Sequence, residues 1–190
     1  MDLHRWMLTD LAGVRAKLFT SVLELVPAHR WHEQVDGGGS SIAHLVLHLA
    51  RHHDLAVNTA IRAHPPLFHR HAEPLGLGAA HPGVGLAERE DTDATSRLDQ
   101  TALLDYATEV FDTTEQWLQP LGSLVLDAVP NTPHRLTTHA HITADEFGWL
   151  HGMWREKPLW WLVQWPVLGH GNAHVGEGIS IRNRMGLSPF

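Results

Sequence analysis

Leu3, Met7, Leu11, Val14, Leu18, Val22 and Leu25 recur every three or four residues up to Pro27. That spacing lines one face of an α-helix and fits no strand. A helix is therefore predicted from about Asp2 to Val26, and its apolar stripe has to be buried against partner helices. The same rhythm returns after the Gly37-Gly38-Gly39 break. Ser40 and Ser41 are capping candidates there, and Ile42, Leu45, Val46, Leu49 and Ala56 mark a second helix over about Ser41 to Ala63.

A third helix begins with a cap in Ser96-Arg97-Leu98-Asp99. It carries Leu103, Leu104, Ala107, Val110, Phe111, Thr114 and Trp117 towards Pro120. Thr143-Ala144-Asp145-Glu146 matches a capping box, and Phe147, Leu150 and Trp154 support a short helix that ends by Lys157-Pro158. The Trp160-Trp161-Leu162-Val163-Gln164-Trp165 run leads into Pro166, which suits the first turn of a final helix reaching Met185-Gly186. Arg182 and Arg184 in its last turn complement the helix dipole. The class expected is all-α. Between His64-Pro65-Pro66 and Thr95 the chain is rich in Gly, Pro, His and acids and has little periodicity. It spans about thirty residues, long for a connection inside a compact domain, and reads either as a lid or binding loop or as a surface insertion.

With 190 residues, 43% of them hydrophobic, the chain suffices for a single core, so one domain over 1–190 is expected. The absence of cysteine excludes disulfides, thiolate ligands and a thiol nucleophile of the protein's own. A net charge of −7 argues against a large nucleic-acid footprint. No basic segment precedes a long apolar run near Met1, and no stretch approaches the roughly 20 apolar residues of a membrane span. A cytoplasmic protein that binds neither membrane nor nucleic acid is the expectation.

The 17 histidines are several times the usual share. His170 and His174 lie four apart in Gly169-His170-Gly171-Asn172-Ala173-His174-Val175-Gly176-Glu177, and on a helix they share one face, with Glu177 beside them. That is ligand spacing for one metal ion. In the same stretch Gly169 and Gly176 are seven apart, as are Gly171 and Gly178, so each pair lines up along the helix. Helical glycines cost about 1 kcal/mol each relative to alanine, which makes sense where neighbouring backbones approach closely.

A further ligand candidate sits upstream, where His44, His48 and His52 form a ridge at i, i+4, i+8. Periodicity puts His52 and His53 closest to the apolar stripe, His48 on its flank and His44 further round. Spacing does not choose among them. His69, His71 and His81 in the long middle segment are an accessory metal candidate or solvated side chains. His134, His139, His141 and His151 have no mutual ligand geometry. Trp149, Trp154, Trp160, Trp161 and Trp165 cluster where the helices must pack, as core or as an aromatic pocket.

Two stretches resemble the DinB-like superfamily of bacterial metalloproteins, which includes the mycothiol-dependent maleylpyruvate isomerase amino-terminal domain and thiol S-transferases. Ser41-Ile42-Ala43-His44-Leu45-Val46-Leu47-His48-Leu49-Ala50 is similar to the family's second-helix pattern. His170-Gly171-Asn172-Ala173-His174-Val175-Gly176-Glu177 is similar to its HxxxHxG[QE] pattern on the last bundle helix. The resemblance implies a four-helix bundle of DinB type, to which the residue pattern adds a short helix before the last bundle helix and a long loop after helix two. It also implies His48, His170 and His174 as the metal triad, and a homodimer.

Three imidazoles form a neutral nitrogen site suited to one zinc, nickel or ferrous iron per chain, and three protein ligands leave a position open. The resemblance implies a metal-dependent thiol transferase or isomerase acting on a small-molecule substrate, with a low-molecular-weight thiol as partner. The alternatives are a hydrolase using metal-bound water and a non-catalytic metal-binding stress-response dimer. Glu177 reads as a base, as a partner to the second ring nitrogen of a histidine, or as a solvated carboxylate.

Overall fold

The computed structural model describes residues 2–78, 81–121 and 123–190. Among them the chain is all-helical. Helix α1 (Leu3–Ala16) starts at Asp2, whose carboxylate accepts from the His4 amide, and continues as a wider π-helical stretch, Lys17–Leu23. The predicted stripe is buried at Met7, Leu11, Val14, Leu18 and Val22, while its two ends, Leu3 and Leu25, are exposed.

Helix α2 (Ile42–Asp54) is capped by the Ser41 hydroxyl, which accepts from the His44 amide at 3.1 Å, and it too runs on as a π-helix, Leu55–Ile61. Every residue from Ile42 to Ile61 is buried, polar ones included, because α2 is covered on all sides. It packs against α5 (Gln100–Leu118) and α9 (His170–Arg184), and its π extension meets α6 (Thr132–Ala140) and α8 (Leu159–Val163). Helix α1 and its extension lie against α5 and α9. Between α2 and α5 come two single-turn helices, α3 (Phe68–His71) and α4 (Thr92–Thr95); α7 (Gly148–Trp154) follows α6. Among the described residues no helix is long and apolar enough to cross a membrane.

Several boundaries differ from those predicted. Helix α5 is capped by Asp99, which accepts from the Ala102 amide at 2.8 Å, while Ser96 closes the preceding turn α4. Thr143 and Glu146 do touch, at 3.2 Å, yet they form a turn ahead of α7, which begins at Gly148 with no side-chain cap. Helix α6 falls in a stretch without helical signature and is started by Asn131, whose side chain accepts from the His134 amide.

The last helix starts earlier than Pro166 suggests. It begins at Leu159 behind Pro158 and passes through a π-helical stretch, Gln164–Gly169, that absorbs the proline. It then becomes α9 and stops at Gly186 with φ +78. Widening the helix leaves room for a residue that has no N–H to donate. Arg182 is buried and donates to the Ser21 carbonyl, so it ties α9 to the first helix besides lying at a helix end; Arg184 pairs with Asp36 at 3.2 Å.

The heptad glycines also divide. A Cβ on Gly171 would stand 3.0 Å from Val14, and one on Gly178 would stand 3.2 Å from Val22. This pair lets α9 settle against the first helix. Gly176 faces open space, and Gly169 meets only its own helix's Gln164 and Trp165, so no close approach of a neighbouring helix explains either.

Candidate metal centre

The segment after α2, which reads in the sequence as a lid or binding loop or as a surface insertion, carries only the single turns α3 and α4 among its described residues and is laid antiparallel along α2, held there bond by bond. Residues 79 and 80 of it lie outside the described residues. At the far end of α2, the buried Asp54 carboxylate accepts from the amides of Leu67 and Phe68 at 3.0 and 2.9 Å and from the Tyr106 hydroxyl at 2.9 Å. Arg51, buried with its guanidinium 3.7 Å over the Phe68 ring, donates to the carbonyls of Pro82 and, at 3.0 Å, Val84.

Three imidazoles continue the seam. His48 Nδ1 donates to the Gly85 carbonyl at 2.8 Å, His52 Nε2 to Leu86 at 3.1 Å and His44 Nε2 to Glu88 at 3.3 Å. At the near end Glu90 accepts from the Ser41 amide at 2.7 Å, the Ser41 hydroxyl at 2.8 Å and the Thr95 hydroxyl at 2.6 Å. These bonds hold the Glu90 carboxyl below its ordinary pKa although burial opposes them.

The seam sorts the ridge histidines. A carbonyl only accepts, so the ring nitrogen facing it carries the proton. His44 and His52 spend Nε2 on the segment. His48 spends Nδ1, which leaves an Nε2 lone pair aimed at α9. Opposite it, His174 Nδ1 lies 3.0 Å from the Glu177 carboxylate, which orients that ring the same way. His170 Nε2 sits between them, 3.2 Å from His48 Nε2 and 3.1 Å from His174 Nε2. A tetrahedral ion with metal–nitrogen bonds of about 2.0–2.1 Å spaces its ligand nitrogens about 3.3 Å apart.

Hydrogen bonding alone does not satisfy this cluster. A proton on His170 Nε2 serves one neighbour, leaves the other facing a donorless contact, and turns the buried Nδ1 into a bare acceptor. A proton on Nδ1 makes three lone pairs converge. The buried Nδ1 itself has no hydrogen-bond partner among the described residues. Burial, first, and the neighbouring imidazoles push His170 down to about 3 and hold His48 at about 4, so protonation is an expensive remedy. A cation shared by the three Nε2 atoms resolves the clash, and the donor set fits one.

Glu88, which the sequence reading missed, completes the cluster. Its Oε1 lies 3.6 Å from His48 Nε2 and 3.7 Å from His170 Nε2, and its Oε2 lies 3.8 Å from His174 Nε2. The candidate ligand atoms of His48, Glu88, His170 and His174 all fall within 4.8 Å of one another, and together they could hold a metal ion. Nothing in the local pattern around Glu88 announces this; only the seam brings it over the rings.

The other candidates separate. His52 packs its ring 4.6 Å from those of His48 and His170 and flanks the cluster. His53 faces the opposite side and meets the Thr114 hydroxyl at 2.8 Å, and burial pushes its pKa down to about 3. His69 stacks on His141, His71 reaches Glu109 at 2.7 Å and His81 reaches Glu146 at 3.4 Å, so no accessory cluster forms from them. Trp154 is core, but Trp149 is 48% exposed and stands 6.1 Å from the His52 ring at the edge of the cluster. Trp165 is also exposed. A cavity of about 250 Å³ lies beside the seam, against His44, Arg89 and Phe147. Comparison with family models, with curated proteins and with solved structures finds no match for this chain.

Proposed function

We propose that this chain is a divalent-metal-dependent enzyme of the DinB-like type, a four-helix bundle formed by α1, α2, α5 and α9 with His48, His170 and His174 as the ligands of one zinc, nickel or ferrous ion. The observation that carries the reading is the convergence of three Nε2 atoms at 3.1 and 3.2 Å, two of them on rings whose other nitrogen is already committed. The residue pattern around His48 and from His170 to Glu177, similar to that superfamily's, supports it further.

A bound ion supplies a Lewis acid that lowers the pKa of a small acid such as a thiol. The chain's own groups do the rest. Gly85 and Glu177 fix the tautomers of His48 and His174. The exposed face of Trp149 gives an apolar substrate a wall to rest on. Having no cysteine, the protein brings no thiol of its own, so a thiol-dependent reaction draws on a low-molecular-weight thiol. Conjugation of such a thiol to a small electrophile, followed by absorbance, should proceed with metal-loaded protein and vanish in His170→Ala. A rate equal to that of the thiol alone in solution would remove the transferase reading.

Glu88 favours a second reading. Four protein donors close a tetrahedron, the arrangement of structural rather than catalytic sites. A non-catalytic metal-binding protein would hold its ion with Glu88 permanently in place.

A further inference from the structure

We infer that Glu88 is a displaceable fourth ligand, a carboxylate that closes the centre at rest and gives way to an incoming anionic substrate group. The inference rests on the metal reading above and decides between its two forms. Three observations carry it.

First, the exposures differ. The side chains of His48, His170 and His174 are 0%, 12% and 10% exposed, whereas that of Glu88 is 76% exposed. A carboxylate released into water regains its hydration at once, while an imidazole released from the interior leaves an unpaired buried nitrogen.

Second, among the described residues the Glu88 carboxylate has no hydrogen-bond or ion-pair partner except those imidazoles. Glu177, Glu90 and Asp54 are each held by hydrogen-bond donors in fixed positions. Glu88 is not, and it also borders a polar cavity of about 350 Å³ lined by Gln34, Ser40, Arg89, Glu90 and Thr92.

Third, the backbone beneath it is pinned. The Glu88 carbonyl accepts from His44, Leu86 from His52 and Gly85 from His48. Displacement therefore needs side-chain rotation only, with no opening of the segment. One monoanion replaces another, so the charge at the centre is unchanged and no proton need move. The entering group is correspondingly a monoanionic donor such as a thiolate or a carboxylate.

Cobalt(II)-loaded protein tests this through its visible absorption, with azide as the entering anion. Wild type, Glu88→Ala and Glu88→Gln should each bind one cobalt per chain. Azide should perturb the spectrum of all three, but at a concentration about tenfold lower in the two variants, because a tethered carboxylate competes at high effective concentration. Equal azide affinity in wild type and variants overturns the inference and leaves the metal centre standing. Loss of cobalt from Glu88→Ala overturns it in the other direction, making Glu88 a fixed ligand. A wild type that binds no cobalt removes the metal reading and the inference together.

Discussion

The two sides of the candidate centre are built by different means. On α9 the parts arrive by local spacing: His170, His174 and Glu177 share a face because the helix repeats every 3.6 residues, and the third orients the second at 3.0 Å. On the other side nothing is local. His48 is aimed by a bond to Gly85, and Glu88 is delivered by a segment that lies along α2 only because Asp54, Arg51, His52, His44 and Ser41 hold it there. Local spacing resists perturbation elsewhere, whereas the seam is as strong as its buried polar bonds.

Acid has the largest expected effect, and it falls mostly on the α2 side, where four rings are shifted against His170 alone on α9, which burial pushes down to about 3. On α2 the pKa values of His44, His48, His52 and His53 are all lowered, chiefly by burial, to about 4 for His48 and about 3 for His53. A histidine whose folded value lies below the unfolded 6.5 contributes nothing adverse above that pH and destabilises the fold as pH falls from about 6.5 towards the folded value. At pH 5.5 His48, His53 and His170 together should cost the metal-free protein about 4 kcal/mol relative to pH 7.5, at about 1.4 kcal/mol per unit each. Urea denaturation at the two pH values measures it, and equal stability would mean that these rings are not buried neutral.

Next comes Arg51→Met, which deletes two donors to the segment together with the guanidinium's contact over the Phe68 ring. It should lower stability by about 2 kcal/mol, since two carbonyls lose charged partners. Hydrogen exchange should quicken in residues 82–88 and stay unchanged over α9. Uniform loosening of both would contradict the division between local and seam-built halves.

Glu177→Gln probes the local side alone. Replacing the carboxylate beside His174 Nδ1 by an amide should weaken metal affinity about tenfold with no change in exchange along the seam. Competition against a chromophoric chelator reads the change; an affinity equal to wild type would make Glu177 a bystander. Smallest is the glycine pair. Gly176→Ala enters open space and should raise stability by about 1 kcal/mol, whereas Gly171→Ala pushes against the stiff, buried Val14 and should lower it. Thermal unfolding distinguishes the signs.

The same division explains what was legible in the sequence. Helical stripes gave α1, α2 and α5, and the four-residue spacing of His170 and His174 gave one half of the centre. Spacing does not choose a ligand among His44, His48 and His52, since all three sit on one ridge; resemblance singles out His48, and the three differ in which ring nitrogen each spends on the segment. Glu88 had no signal because its position depends on contacts far away in the chain. Pro166 misled because a π-helical turn accommodates it mid-helix, and α6 was missed because a single asparagine cap starts it. Polar residues on α2 were hard to place by periodicity, since a helix covered on every side, by its neighbours and by the seam, buries histidine and arginine as readily as leucine.

The central claim is that His48, His170 and His174 hold one ion while His52, a ring's width away, does not. Metal content after dialysis of untagged protein, compared across wild type, His48→Ala, His52→Ala, His170→Ala and His174→Ala, tests it directly. About one metal per chain in wild type and His52→Ala, and almost none in the other three, is the result predicted, because losing one of the three imidazole ligands removes about 3 kcal/mol or more where structural zinc sites bind with about 10–16 kcal/mol in all. Metal kept in all four variants, or absent from folded wild type given zinc, nickel or ferrous ion, would contradict it.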